Sequence, residues 1–259
     1  MPFRNVHGLN LHIQEMGQGP ALFLTHGLLL DNLASWLFSA SSALVAHHRV
    51  VLWDLRGHGM SGKAASGYDS ATQAGDLAEL IDQLAPGERV DLAGFSYGGL
   101  IALRCALARP ERIGRLALLE TPLPPRDYSE FDPLLEGNVD ELLAAMPEAL
   151  RREVLRSPRR ALKLARAVKR LVSETTLLAD VRGEPGLPEG ALAGLELPVL
   201  CLYADGSPFL ADGRRLEIEL PRAEFHQIAG GHRLLNEKPA EVAQALTAFF
   251  APEEGGTSA

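Results

Sequence analysis

Gly94-Phe95-Ser96-Tyr97-Gly98 sets a serine between two glycines, with the apolar run Val90–Ala93 before it and a helical pattern from Gly99 after it. A strand, a sharp turn and a helix in that order hold the serine in strained backbone and expose its hydroxyl. Flanking residues without a Cβ let strand and helix approach closely. Ser96 is therefore a candidate nucleophile. The competing reading is a helix N-cap serine in a glycine-rich turn, which the strand and helix on either side disfavour.

A hydroxyl attacks only when a base takes its proton. Eight histidines are available: His7, His12, His26, His47, His48, His58, His226 and His232. His232, in Gly230-Gly231-His232, follows the last apolar run and precedes the final helical pattern, which places it in a loop at the edge where strands end. His226 lies inside the run Ala223–Ile228 and is expected to pack. His47 and His48 precede a strand at the opposite edge, and His7 and His12 belong to a hairpin-like N-terminal segment. Position selects His232 as general base.

The elements that must hold these residues alternate along the chain. Apolar runs at Ala21–Thr25, Arg49–Trp53, Arg89–Ala93, Leu116–Leu119, Pro198–Tyr203 and Ala223–Ile228 are separated by helical patterns at Thr72–Leu84, Gly99–Arg109 and Pro239–Phe250. Near-continuously apolar strands separated by helices predict an α/β protein, its mostly parallel, roughly eight-stranded sheet covered on both faces. Ligands of such sheets sit outside the carboxyl ends of the strands. From Pro122 to Leu195 no strand is evident, only helical patterns around Val139–Leu155 and Ser157–Leu178. The expected division is a core of residues 1–121 and 196–251, a helical cap of residues 122–195, and a frayed tail of residues 252–259.

Four signatures, in order, resemble the α/β-hydrolase superfamily: Thr25-His26-Gly27-Leu28, Asp54-Leu55-Arg56-Gly57-His58-Gly59-Met60-Ser61, the serine turn, and Gly231-His232. The likeness covers residues 3–120 and 196–250. It implies Ser96 as nucleophile, His232 as base, and an oxyanion hole from the backbone N–H groups of Leu28 and Tyr97. It makes His26 and the Asp54–Ser61 loop structural, and it demotes His58 as a catalytic candidate. The acid departs from the pattern. In Tyr203-Ala204-Asp205-Gly206-Ser207-Pro208, Ser207 stands where the family carries an aspartate. Two carboxylates could replace it: Asp205, two residues earlier on the same side of an extended chain, and Glu120, at the end of the preceding strand. Glu120 is preferred, and a site without a working acid is the third possibility.

Composition sets the outer bounds. The 259 residues are 46% hydrophobic and 22% charged, which excludes a disordered chain, a collagen-like repeat and a coiled coil. A net charge of −8 argues against a nucleic-acid partner. Cys105 and Cys201 cannot make a disulfide framework, and no signal segment or membrane span is evident, so the cytoplasm is the expected compartment. Neither a metal site nor a dinucleotide motif is visible, and no cofactor is expected. Against the acidic background, residues 151–170 hold nine basic side chains and only Glu153, giving +8 where the rest of the chain sums to −16. Most such runs are solvated faces. The functional alternative is a docking surface for an anionic acyl donor, an acyl-carrier protein or a coenzyme A thioester.

The function these features imply is hydrolysis of an ester or thioester of a small-molecule acyl substrate through an acyl-Ser96 intermediate. Two rivals are a cofactor-free lyase, transferase or oxygenase on the same scaffold, and a non-catalytic binding module.

Overall fold

The computed structural model describes residues 2–126 and 158–252. The helical pattern expected around Val139–Leu155, with Arg151, Arg152 and Arg156, lies outside them, as does the tail from Glu253.

The chain opens with a hairpin, β1 (Phe3–Val6) and β2 (Leu9–Met16). Its two-residue turn puts both His7 (φ 49°) and Gly8 (φ 82°) in the left-handed region, the geometry that matches the twist of the flanking strands. The remaining strands are β3 (Ala21–Thr25), β4 (Arg49–Trp53), β5 (Val90–Phe95), β6 (Ile113–Leu119), β7 (Val199–Ala204) and β8 (Ala223–Ile228). They form one eight-stranded sheet in the order β1-β2-β4-β3-β5-β6-β7-β8. The β1–β2 and β2–β4 pairs are antiparallel and all others parallel. This α/β sheet is the architecture that the alternating apolar runs predict.

Alternate residues of each strand feed two cores, as the period of two demands. Phe23, Val51, Trp53, Leu92 and Leu118 pack on one face with α3 (Ser70–Leu84) and α4 (Tyr97–Ala108), and Tyr203 on the same face meets the helix Leu210–Glu219. Leu22, Leu24, Leu52, Phe95, Leu119 and Leu202 pack on the other, against α1 (Leu33–Leu37), α2 (Ser41–Leu44) and the C-terminal helix Pro239–Phe249. Every residue of β5 is buried. The edge strand β8 is only partly covered, and His226 is exposed rather than packed. Burial at the end of a sheet falls on one face alone, which corrects the expectation for His226.

Between β6 and β7 the described residues form α5 (Pro158–Ser173) and α6 (Leu177–Arg182). Val168 and Leu171 of α5, and Leu177 and Val181 of α6, are buried. Two carboxylates fasten this segment to α3, the loop before it and α4. Asp180 accepts from the backbone N–H groups of Gly67 (3.1 Å) and Tyr68 (2.8 Å). Glu184, just after α6, accepts from the Ser70 N–H and hydroxyl, from Arg104 and from the Tyr97 hydroxyl. No helix among the described residues is long and apolar enough to cross a membrane.

Candidate active site

Parallel pairing brings the carboxyl ends of the strands into line: Thr25 faces Gly94, Phe95 faces Leu119, and Leu119 faces Leu202. The residue that follows each end therefore opens on the same edge. Ser96, directly after β5, sits at φ 54°, ψ −127°, and its side chain makes no capping bond to the helix it precedes. The hydroxyl is thus not committed to an N-cap. A Cβ on Gly94 would run into the Gly98 backbone, and one on Gly98 into the carbonyls of Thr25 and His26. Glycine at these two positions is what allows so tight a turn.

Glu120 directly follows β6, also left-handed (φ 51°), and is completely buried. Its Oε1 accepts from the Ala204 N–H and its Oε2 from the Ser207 hydroxyl. Oε2 also lies 3.1 Å from Nδ1 of His232. A carboxylate can only accept, so Nδ1 carries the proton and Nε2 keeps its lone pair. The imidazole stacks on Phe95 (centroids 5.2 Å apart) and meets Phe209 edge-on at 4.8 Å. The Tyr203 hydroxyl donates to the Thr121 carbonyl (2.8 Å), fixing the turn that carries Glu120. Burial pushes that phenol well above its usual range, so it stays a neutral donor.

Asp205 stands apart from this pairing. Its exposed side chain accepts from the Gly230 N–H (2.9 Å), and so braces the loop that carries His232. On the far side of that loop, Glu237 accepts from the Gly231 N–H (2.8 Å).

Ser96 and His232 line one cavity of about 110 Å³ together with Leu28, Tyr97 and Phe209. Its other walls are apolar, from Leu29 and Leu30 after β3 and from Leu177, Leu178 and Val181 of α6. Arg182, Arg233 and Asp31 are its charged members, and Arg233 donates to Asp31 at 3.0 Å. Tyr97 is the first residue of α4, so its backbone N–H belongs to a helix N-terminus, where negative charge is favoured.

Behind the Leu28–Leu30 wall lie two buried histidines outside the cavity lining. Nε2 of His58 accepts from the Leu29 N–H (2.9 Å) and its Nδ1–H donates to the Arg56 carbonyl (2.9 Å). Burial, with His26 nearby, pushes its pKa down to about 4. His26, lowered first by burial, accepts from the Leu55 N–H (3.0 Å). Asp54 accepts from Leu33 N–H, Met60 N–H and His12. These groups shape the loops, their polar atoms spent on backbone apart from the His12–Asp54 pair. Of the four left-handed non-glycine residues among those described, Leu29 and Ser96 line the cavity and Glu120 holds the His232 ring beside it. Each costs roughly 1–3 kcal/mol, a cost that concentrates at functional sites. Among the described residues no three His, Cys, Asp or Glu side chains are grouped to hold a metal ion.

Comparison with known proteins bears on the family and the fold. The profile of the alpha/beta hydrolase fold matches residues 20–157. The chain belongs to the α/β-hydrolase family. It is 30% identical to a pimeloyl-[acyl-carrier protein] methyl ester esterase of Nitrosospira multiformis, over 73% of this chain and 72% of that protein. It spans about a third (34%) of the length of uncharacterized mycobacterial relatives to which it is 35% identical over 119 residues. The crystal structure of an enol-lactonase from Burkholderia xenovorans superposes with a TM-score of 0.79 at 22% identity, covering 97% of this α/β-hydrolase and all of that chain. At that identity the likeness speaks for the fold alone.

The sequence pointed to Ser96, His232 and Glu120, which the structure brings to one edge. It did not point to the Ser207 bond to Glu120, the Arg233–Asp31 pair or the Glu184 cluster. Ser207 carried a signal, since it occupies the position where an acid was sought. Glu184 carried none, because its partners Ser70 and Tyr97 are 114 and 87 residues away.

Proposed function

We propose that this α/β-hydrolase cleaves a carboxylic ester or thioester through an acyl-Ser96 intermediate. The observation that carries the reading is a buried Glu120 holding Nδ1 of the same imidazole that lines the cavity with Ser96. Nε2 of His232 takes the hydroxyl proton as Oγ attacks the carbonyl carbon. The tetrahedral oxyanion is met by the backbone N–H groups of Leu28 and Tyr97. The imidazolium then protonates the leaving alcohol or thiol, and the same nitrogen activates water to release the acid. The Glu120 carboxylate orients the ring and offsets its transient charge.

The substrate class follows from the walls. Apolar side chains around a cavity of about 110 Å³ suit a short acyl group. The esterase relative supports the ester reading. The described part of α5 exposes Lys163, Arg166, Lys169 and Arg170, which favours an acyl group delivered on an anionic carrier such as an acyl-carrier protein or coenzyme A. A cytoplasmic setting accords with two buried free cysteines, whose thiols burial pushes up to about 12.

The test is a panel of acyl esters and coenzyme A thioesters of increasing chain length, assayed with rapid mixing. The expected result is a burst of leaving group, best for short chains and absent in Ser96→Ala. Turnover of none of the panel, or turnover that persists in Ser96→Ala, overturns the reading.

A further inference from the structure

We propose that the Ser207 hydroxyl is a positioning group of this site, sharing Oε2 of Glu120 with His232 and fixing the Phe209 ring beside the imidazole. The inference rests on the reading that His232 and Glu120 activate Ser96. Ser207 lies three residues beyond β7, its N–H closing a turn onto the Ala204 carbonyl (3.2 Å). Its Oγ–H donates to Oε2 of Glu120, and its lone pair accepts from the Phe209 N–H (3.0 Å). Both ends of the hydroxyl are therefore used and its orientation is fixed. The first bond reaches the carboxylate and the second begins the residue whose buried ring meets His232 edge-on.

The shared oxygen makes this more than packing. Glu120 has no solvent exposure, so its charge is stabilised by donors alone. Ser207 and Nδ1–H of His232 both donate to one oxygen, and a donor that stabilises the carboxylate charge leaves less of it to attract the imidazolium. Removing the hydroxyl concentrates the charge on the imidazole, which favours the imidazolium and withdraws the free base at a higher pH. The other charges around the ring are not altered by the substitution. They are Arg233 paired with Asp31, Arg182 across the cavity, Asp205 and Glu237 under the His232 loop, and Arg126 with Asp212 behind Phe209.

Ser207→Ala is therefore expected to lower kcat about 10- to 100-fold, the range for losing a hydrogen bond to a charged group. It should also move the acid limb of the kcat/KM profile upward by about 0.5–1 pH. Ser207→Thr, which keeps the hydroxyl, should restore both. Ser207→Cys, similar in size but a weak donor, keeps the test open if the alanine variant fails to fold, and should shift the limb in the same direction. NMR titration of the His232 ring in the protein without substrate separates this proposal from the hydrolase reading. An upward midpoint in Ser207→Ala supports the positioning role even if no ester is turned over. An acid limb and midpoint that stay in place or fall, with only thermal stability lowered, show Ser207 to be structural and overturn the proposal.

Discussion

His58 and His232 are the same side chain in two loops at the same edge of the sheet, and the structure puts them to opposite uses. In the loop after β4, both ring nitrogens of His58 are bound to backbone and the ring is buried. Burial keeps it neutral down to a pKa of about 4, so it serves as a fixed acceptor for the Leu29 N–H. In the loop after β8, one nitrogen of His232 is held by a carboxylate while the ring borders the cavity. The difference lies in where the second nitrogen is spent. A histidine closed at both ends shapes a wall; one anchored at a single end keeps its second nitrogen for the cavity, as the proposed general base requires.

The largest effect expected from that contrast falls on the open histidine. Ser96→Ala or His232→Ala should each lower kcat by ~10⁴–10⁶, and the double variant should be little worse because the pair acts as a unit. Losses that multiply would break the pairing. Next comes the anchor. Glu120→Gln keeps the shape but favours the wrong tautomer, and should cost up to ~10⁴ in kcat. Asp205→Asn, which touches only the Gly230 N–H, should cost a few-fold at most. A reversed order in steady-state kinetics would place the acid on the loop after β7.

The closed histidine should show its effect in stability. Its folded pKa of about 4 lies below the ordinary 6.5. The unfolded chain therefore binds the proton first as the medium acidifies. The stabilisation is complete above pH ~6.5 and is lost as pH falls toward 4, by up to about 3 kcal/mol. Urea unfolding at pH 7 and pH 4.5 should reveal that loss in the parent. His58→Ala should start lower at pH 7, with the Leu29 N–H unpartnered, and should show a flatter dependence on pH. An equal acid loss in both would show that His58 is not its source.

The smallest effect concerns the exposed cations of α5. Reversing Lys163, Arg166 and Lys169 to glutamate should lower kcat/KM for a coenzyme A thioester at low salt by up to ~10-fold. A neutral ester should barely respond, and added salt should erase the difference, because the Debye length is already ~10 Å at 0.1 M. If both substrates respond alike, the run is a solvated helix face.

How much of this was legible in the sequence follows from the range of each interaction. Ser96 could be read because strand, turn and glycines sit within a dozen residues, and His232 because a loop after the last strand can open only on that edge. The sheet followed from its alternating apolar runs, and only the edge strand, with His226 turned outward, departed from the expected packing. The acid stayed open between Glu120 and Asp205 because the choice depends on where side chains point after adjacent strands end. Spacing along the chain does not carry that. The left-handed backbone at Glu120, which no glycine announces, and the hydroxyl of Ser207 beside it became visible only once β6 and β7 were paired. The Glu184 cluster was hidden for the same reason, joining segments far apart in the chain.

The most direct test of the central claim is reaction with a fluorophosphonate followed by mass mapping of the adduct. A hydroxyl activated by a Glu120-anchored His232 should take up one equivalent, located on Ser96, with labelling slowed severely in His232→Ala and Glu120→Gln but not in Asp205→Asn. No adduct on Ser96 in the folded protein, or labelling at the same rate in all these variants, would contradict it.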